Sequence, residues 1–92
     1  MKILIVEDSR SNLAVLRQYV ERFGATAICA EDGETALHLF EQHRPDIVLL
    51  DIVLPTMDGL SVAIQIRAME QVGEWAPIIF LSSLGKDDDI ER

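Results

Sequence analysis

Residues 47–59 read Ile-Val-Leu-Leu-Asp-Ile-Val-Leu-Pro-Thr-Met-Asp-Gly, and the class of fold can be inferred from this segment. An unbroken apolar run over residues 47–50 stops at a carboxylate, Asp51, and a loop that contains Pro55 follows. Continuous apolar residues, without alternation, are typical of a parallel strand covered by helices on both faces. The stretch therefore predicts a buried parallel strand that presents a charged group where it ends.

Three further apolar runs resemble this one and lie at residues 3–6, 26–29 and 78–81. They are rich in β-branched residues and lie next to charged residues, proline or glycine, so each is also predicted to be a buried strand. The segments between the runs are long enough for crossover helices, and two-residue hairpins are excluded. The pattern predicts one α/β domain, residues 1–92, with the order βαβαβαβ.

The segments between the strands carry helix patterns. Ser9 or Ser11 can cap the first helix and Gly24 can end it, around an apolar stripe of Leu13, Leu16, Val20 and Phe23. The second helix is expected to follow Asp32-Gly33 and to end before Pro45. The third is expected to be capped by Asp58, and its pattern continues through Leu60, Ala63, Ile64 and Arg67 before Gly73. Right-handed crossovers then give a doubly wound open sheet, whose ligands bind at the carboxyl ends of the strands.

The composition excludes several classes of partner. The net charge is −8 and no block of Lys or Arg occurs, so direct contact with nucleic acid or an anionic membrane is not expected. The single cysteine, Cys29, cannot form an internal disulfide, and Glu7 and Asp8 interrupt the first apolar stretch before a signal peptide would be complete. A cytoplasmic location is expected.

Polar residues follow three of the predicted strands. Glu7 and Asp8 follow the first, Asp51 follows the third and Ser82 follows the fourth, so three carboxylates and a hydroxyl are expected at one edge of the sheet. Close carboxylates repel one another unless a cation lies among them, and Mg²⁺ is the hard cation that best suits such ligands. Glu7 and Asp8 have a second reading as a solvated turn that caps the following helix.

These residues, in this order, resemble the response-regulator receiver domains of two-component signalling. Glu7 and Asp8 are similar to the family's acidic pair, Asp51 to its phosphoacceptor, residues 55–59 to its P-x-M-D-G loop, and Ser82 to the Ser/Thr after its fourth strand. The resemblance extends from Lys2 to Arg92. It implies a flavodoxin-like doubly wound parallel sheet with strand order 2-1-3-4.

The resemblance also implies a function and a set of site residues. Asp51 would accept a phosphoryl group from the phosphohistidine of a sensor histidine kinase or histidine phosphotransfer protein. Mg²⁺ would be bound by Asp8 and Asp51 directly, by Glu7 through water and by the backbone carbonyl of Val53. Ser82 would donate to a phosphoryl oxygen and so switch the conformation that regulates an output. Such a protein catalyses its own phosphorylation and is not an enzyme in the usual sense.

One departure from the family concerns its fifth strand, which carries a Lys, and its last helix, since neither is found in this chain. We therefore expect slow phosphorylation, and we expect the apolar edge at residues 78–81 to favour self-association. The chain is expected to be the amino-terminal portion of a receiver domain in a longer protein with an output domain.

Two rival functions remain open from the sequence. A phosphatase of the haloacid-dehalogenase type also uses an aspartate at a strand end with Mg²⁺, but it needs a second Asp where Val53 stands. A receiver-like interaction module without phosphorylation is the other rival. Such a module has no need of Mg²⁺, so metal binding distinguishes it from a phosphoacceptor.

Overall fold

The computed structural model describes residues 1–81 of the chain, in which strands and helices alternate. The elements are β1 (Lys2–Val6), α1 (Arg10–Arg22), β2 (Thr26–Ala30), α2 (Gly33–His43), β3 (Ile47–Asp51), α3 (Gly59–Met69) and β4 (Ile78–Leu81). All four predicted strands are confirmed to within one residue at either end. The expected contribution of Ser82 lies outside the described residues.

The strands form a parallel sheet in the order β2-β1-β3-β4, as predicted. The register places Val6 beside Ala30 on one side and beside Leu50 on the other. Asp51 pairs with Leu81 of β4. The carboxyl ends of all four strands therefore lie at one edge of the sheet, where the charged residues follow.

The central strands β1 and β3 are more buried than the outer ones, although the continuous apolar runs predicted burial for all four. The side chains of Leu4 and Val48, in β1 and β3, have no exposed surface. In β4, Ile79 is 50% exposed and Phe80 is 40% exposed. The difference follows from the strand order, because β2 and β4 are the outer strands of the described sheet.

Helices pack against both faces of the sheet. Alternate side chains of a strand point to opposite faces, so Leu4 and Ile5 of β1 belong to different apolar clusters. Leu4 packs in a cluster that includes Phe40 of α2 and Ile66 of α3, and Ile5 packs with Leu13 of α1. This arrangement of one helix against two is the doubly wound fold that the sequence predicted.

The helix ends are fixed by the residues that the sequence indicated. Ser9, Asp32 and Asp58 are the N-caps, and each side chain accepts a hydrogen bond from the backbone N–H three residues later. The N–H of Thr35 lowers the pKa of the Asp32 carboxyl in this way. Gly24 follows α1 with a φ of +86°, a conformation that favours glycine. Among the described helices, none is both long enough and apolar enough to cross a lipid bilayer.

Helix α3 buries a different face from the one that its apolar pattern suggested. Leu60 and Ile64 are 57% and 69% exposed, whereas Val62 and Ile66 are fully buried. The helix also ends at Met69, well before Gly73. Its rotation is set at its first residue, Gly59, which packs directly against β3.

Gly59 allows this close packing because it has no Cβ. A Cβ at this position would overlap the carbonyl oxygen of Asp51 and would lie 2.8 Å from the Cα of Ile52. The Gly59 N–H also donates to the Ile52 carbonyl at 2.7 Å. The start of α3 is therefore pressed against the last residue of β3, and any larger residue must push the two apart.

Arg67 and Glu70 join the end of α3 to the segment before β4. Arg67 donates to the Glu70 carboxylate at 2.8 Å and to the Ala76 carbonyl at 2.9 Å. The Glu70 carboxylate in turn accepts the N–H of Ala76 at 2.8 Å. These bonds fix the chain where it enters β4, the strand that pairs with Asp51.

The rotation of α3 can be tested with two isoleucines on its opposite faces. We expect Ile66→Ala to lower the free energy of unfolding by about 2–5 kcal/mol, because it leaves a cavity in the core. Ile64→Ala changes a side chain that is 69% exposed and should cost less than about 0.5 kcal/mol. Urea denaturation of both variants is the measurement, and equal losses would contradict the observed rotation.

Gly59 and Gly24 provide a second test of the fold. Gly59→Ala should lower the free energy of unfolding by about 3 kcal/mol or more, since its Cβ meets backbone atoms that cannot move aside. Gly24→Ala is the matched control, because open space surrounds this position and only its positive φ is strained, at a cost of about 1 kcal/mol. If thermal unfolding gave the two variants the same stability, the close packing of Gly59 on β3 would be wrong.

Candidate functional site

The carboxyl ends of β1 and β3 bring Glu7 close to Asp51. The two strands are direct neighbours, and Glu7 follows Val6, which pairs with Leu50. The N–H of Glu7 donates to the Ala30 carbonyl at 3.0 Å and extends the pairing with β2 by one residue. Glu7 is therefore held as firmly as a strand residue, and Asp51 is itself the last residue of β3.

Three carboxylates converge at this edge. One oxygen each from Glu7, Asp8 and Asp51 can be chosen so that all lie within 4.8 Å of one another. Glu7 and Asp51 have no exposed surface, whereas Asp8 is partly exposed. The cluster is thus buried on the side of Glu7 and Asp51 and open to solvent on the side of Asp8.

Backbone N–H groups orient the two buried carboxylates. The N–H of Ser9 donates to Oε2 of Glu7 at 2.9 Å, and the N–H of Val53 donates to Oδ1 of Asp51 at 3.1 Å. Hydrogen bonds of this kind fix the direction in which a carboxylate points. These backbone donors were not predicted from the sequence, although the spacing of two residues in both pairs is typical of an acidic side chain that caps its own turn.

The donor set fits Mg²⁺. All three side chains offer carboxylate oxygens, the ligands that hard divalent cations prefer, and no nitrogen or sulfur atom belongs to the described cluster. Three carboxylates this close repel one another, and a cation among them removes the repulsion. The partly exposed Asp8 leaves one side for water or a ligand to approach.

The loop after β3 brings Val53 to the same edge. The bond between Gly59 and Ile52 closes the loop, and Leu54 fixes it from within because its side chain is only 8% exposed. Val53 is 61% exposed beside Asp51. Its carbonyl as a metal ligand stays a prediction.

The structure thus brings together the predicted residues Glu7, Asp8, Asp51 and Val53. Ser82 lies outside the described residues, and its role stays a prediction. The last described residue before it, Leu81, pairs with Asp51. The described part of the predicted site is therefore built at one edge of the sheet by residues of β3 and the segments that follow β1 and β3.

Comparisons with known proteins agree with this arrangement. The family model of the response regulator receiver domain matches residues 3–92. The chain is 43% identical over 84 residues to the probable transcriptional regulator ycf27 of Guillardia theta, which covers 91% of this chain and 32% of that protein. It is 37% identical over 91 residues to the alkaline phosphatase synthesis transcriptional regulatory protein PhoP of Bacillus subtilis, which covers 99% of this chain and 36% of that protein.

A solved structure has the same fold. The CheY-like response regulator receiver domain from Methylobacillus flagellatus matches with a TM-score of 0.84 and 27% identity, over 91% of this chain and 70% of that one. The chain spans about a third of the length of the two curated relatives, whose covered shares are 32% and 36%. On the family match, the relatives and the shared fold, this chain belongs to the response regulator receiver domain family.

Proposed function

We propose that this chain is a phosphoacceptor in two-component signalling, and that Asp51 accepts the phosphoryl group. The donor is the phosphohistidine of a sensor histidine kinase or of a histidine phosphotransfer protein. The observation that supports the proposal most directly is the convergence of Glu7 and Asp8 on a buried Asp51. A loop or a helix cap with no further role has no need of three carboxylates in one place.

The chemistry requires a carboxylate that is held in position. An oxygen of Asp51 attacks phosphorus and forms an O–P bond while the P–N bond to the donor imidazole breaks. The electron pair of the broken bond stays on the imidazole nitrogen, which then takes up a proton from water. The N–H of Val53 orients the Asp51 carboxylate before the donor arrives. The carboxylate therefore loses little conformational freedom when the reaction begins.

Glu7, Asp8 and Val53 hold the metal in this proposal, together with Asp51. Asp8 and Asp51 bind Mg²⁺ directly, the Val53 carbonyl is a backbone ligand, and Glu7 acts through water. When it is bound, Mg²⁺ neutralises negative charge on the phosphoryl oxygens and so makes attack by a carboxylate feasible. Glu7 is fully buried beneath the site and would add a third carboxylate close to the cation.

Ser82 is the proposed switch residue. It follows Leu81, which pairs with Asp51, so its place in the sequence supports a role beside the acceptor. In the proposal its hydroxyl donates to a phosphoryl oxygen after transfer. The contact draws the segment after β4 toward Asp51, and this change regulates the output.

The wider setting of the chain is also proposed. Two of the relatives are transcriptional regulators about three times as long as the matched region, which supports a longer protein in which residues 1–92 are the amino-terminal portion of the receiver domain. We propose the cytoplasm as its compartment, where a histidine kinase can reach it. Cys29 agrees with a reducing compartment, since it is the only cysteine and burial raises the pKa of its thiol.

Phosphorylation of Asp51 can be tested by the mass of the intact protein. After incubation with Mg²⁺ and acetyl phosphate, we expect the parent chain to gain one phosphoryl group and Asp51→Asn to gain none. Asp46→Asn is the matched control, because Asp46 precedes β3 at the opposite end of the strand from Asp51 and an asparagine oxygen can accept the same N–H of Lys2. This variant should be phosphorylated like the parent, and chelation of Mg²⁺ should abolish the gain in both.

Two outcomes would change the assignment. A phosphoryl group on Asp51→Asn at the parental level would show that another residue is the acceptor. A parent chain that neither binds Mg²⁺ nor gains mass would favour the rival function, an interaction module without phosphorylation.

We further propose that the outer edge of β4 takes part in self-association. Among the described strands, β4 has a neighbour on one side only, and Ile79 and Phe80 are 50% and 40% exposed there. An apolar strand with unpaired backbone groups is a template for pairing with another chain. A second copy of the chain presents the same edge and can pair with it.

Sedimentation velocity over a range of concentrations tests this edge. We expect the parent chain to form dimers or larger species as its concentration rises, and Ile79→Lys to remain monomeric, because a charge on an edge strand disfavours pairing. Ile64→Lys is the control, since it places the same charge at an exposed position on α3. A parent chain that is monomeric throughout would contradict the proposal.

A further inference from the structure

Gly33, the first residue of α2, is a glycine that its backbone does not require. The glycines with positive φ in the described chain are Gly24 and Gly73, so Gly33 has a conformation that other residues adopt without strain. It lies in a helix, where glycine is less favourable than alanine. The reason for glycine at this position must therefore be space.

The space beside Gly33 is occupied by Met57, in the loop between β3 and α3, and by Val62 of α3. A Cβ on Gly33 would lie 3.0 Å from Sδ and 3.2 Å from Cβ of Met57, and 2.9 Å from Cγ2 of Val62. These distances are shorter than ordinary van der Waals contact. Met57 is partly buried and packs against the main apolar cluster, with its Sδ 3.8 Å from Nε2 of Gln65. The missing Cβ of Gly33 is what lets the Met57 side chain lie there.

Met57 belongs to the loop that orients Asp51. The loop is closed by the hydrogen bond from Gly59 to Ile52, and Gly59 has no room to move toward β3, since even a Cβ there would overlap the Asp51 carbonyl oxygen. A displacement of Met57 must therefore be taken up inside the loop, in residues 53–58. That range includes Val53, whose N–H holds the Asp51 carboxylate.

We propose that Gly33 is a positioning residue for the phosphoacceptor site. By leaving room for Met57, it fixes the loop through which Val53 orients Asp51 and offers its carbonyl to the metal. This inference rests on the function proposed above. It joins the first turn of α2 to the site, although no residue of α2 is among the clustered carboxylates.

A purely structural role for Gly33 makes a different prediction. In that case alanine at this position only lowers the free energy of unfolding, and the affinity of the folded protein for Mg²⁺ does not change. The second neighbour, Val62, separates the two roles. It is fully buried in α3 and lies outside the loop, so relief of its contact restores packing but leaves Met57 displaced.

The test is the Mg²⁺ affinity of the 92-residue chain, measured by isothermal titration calorimetry. We expect Gly33→Ala to weaken Mg²⁺ binding about tenfold, the lower end of what changes outside the ligand shell cause. In the protein without metal, the backbone amide of Val53 should also shift in the NMR spectrum. Glu34→Ala, an exposed change in the same turn of α2, should leave both unchanged.

Two double variants sharpen the test. Met57→Ala alone should weaken Mg²⁺ binding about tenfold, and adding Gly33→Ala to it should change the affinity less than about twofold, because no side chain is left to displace. In a Val62→Ala background, Gly33→Ala should still weaken binding about tenfold. Only the cost in stability should become smaller there.

The outcomes separate this inference from the proposed function. If the parent binds Mg²⁺ and Gly33→Ala binds it equally well, Gly33 is structural and the inference is wrong while the proposed function stands. If the parent does not bind Mg²⁺, both are wrong. If Gly33→Ala alone does not fold, the comparison is made in the Val62→Ala background: weaker Mg²⁺ binding on adding Gly33→Ala supports the inference, and equal binding overturns it.

Discussion

The pairing of β1 with β3 determines where the charged residues of this domain meet. It places the residue after Val6 next to the end of β3, so that Glu7 and Asp51 meet beneath the surface. Buried carboxylates are costly unless they are hydrogen-bonded. Glu7 accepts the N–H of Ser9 and Asp51 accepts the N–H of Val53, and the proposed cation would add a further favourable contact.

The loop between β3 and α3 links this charged edge to the apolar core. Its outward side holds Val53 against the Asp51 carboxylate, and its inward side places Leu54 and Met57 in the core. Gly59 closes the loop by direct contact with β3. The geometry of the site therefore depends on packing as much as on charge. A small change in the size of a side chain packed beneath the loop is expected to shift the carboxylates above it.

The parts of the fold that local pattern could predict are those that depend on neighbours in sequence. The apolar runs, the caps at Ser9, Asp32 and Asp58, and the carboxylates at strand ends all belong to this class. The rotation of α3 was not predictable, because it depends on contact between Gly59 and a strand, which outweighs the apolar pattern of Leu60 and Ile64. The packing of Met57 against Gly33 was not predicted for the same reason, since the two residues are distant in sequence and only the fold brings them together.

The strand order has a consequence for folding. Glu7 and Asp51 are separated in sequence by α1, β2 and α2, so the carboxylates meet only after two complete crossovers have formed. An unfolded chain holds no such cluster, and a cation that binds it binds the native state alone. If Mg²⁺ is that cation, as proposed, its free concentration would raise the stability of the domain as well as its readiness to react, and the ion would act as a folding ligand.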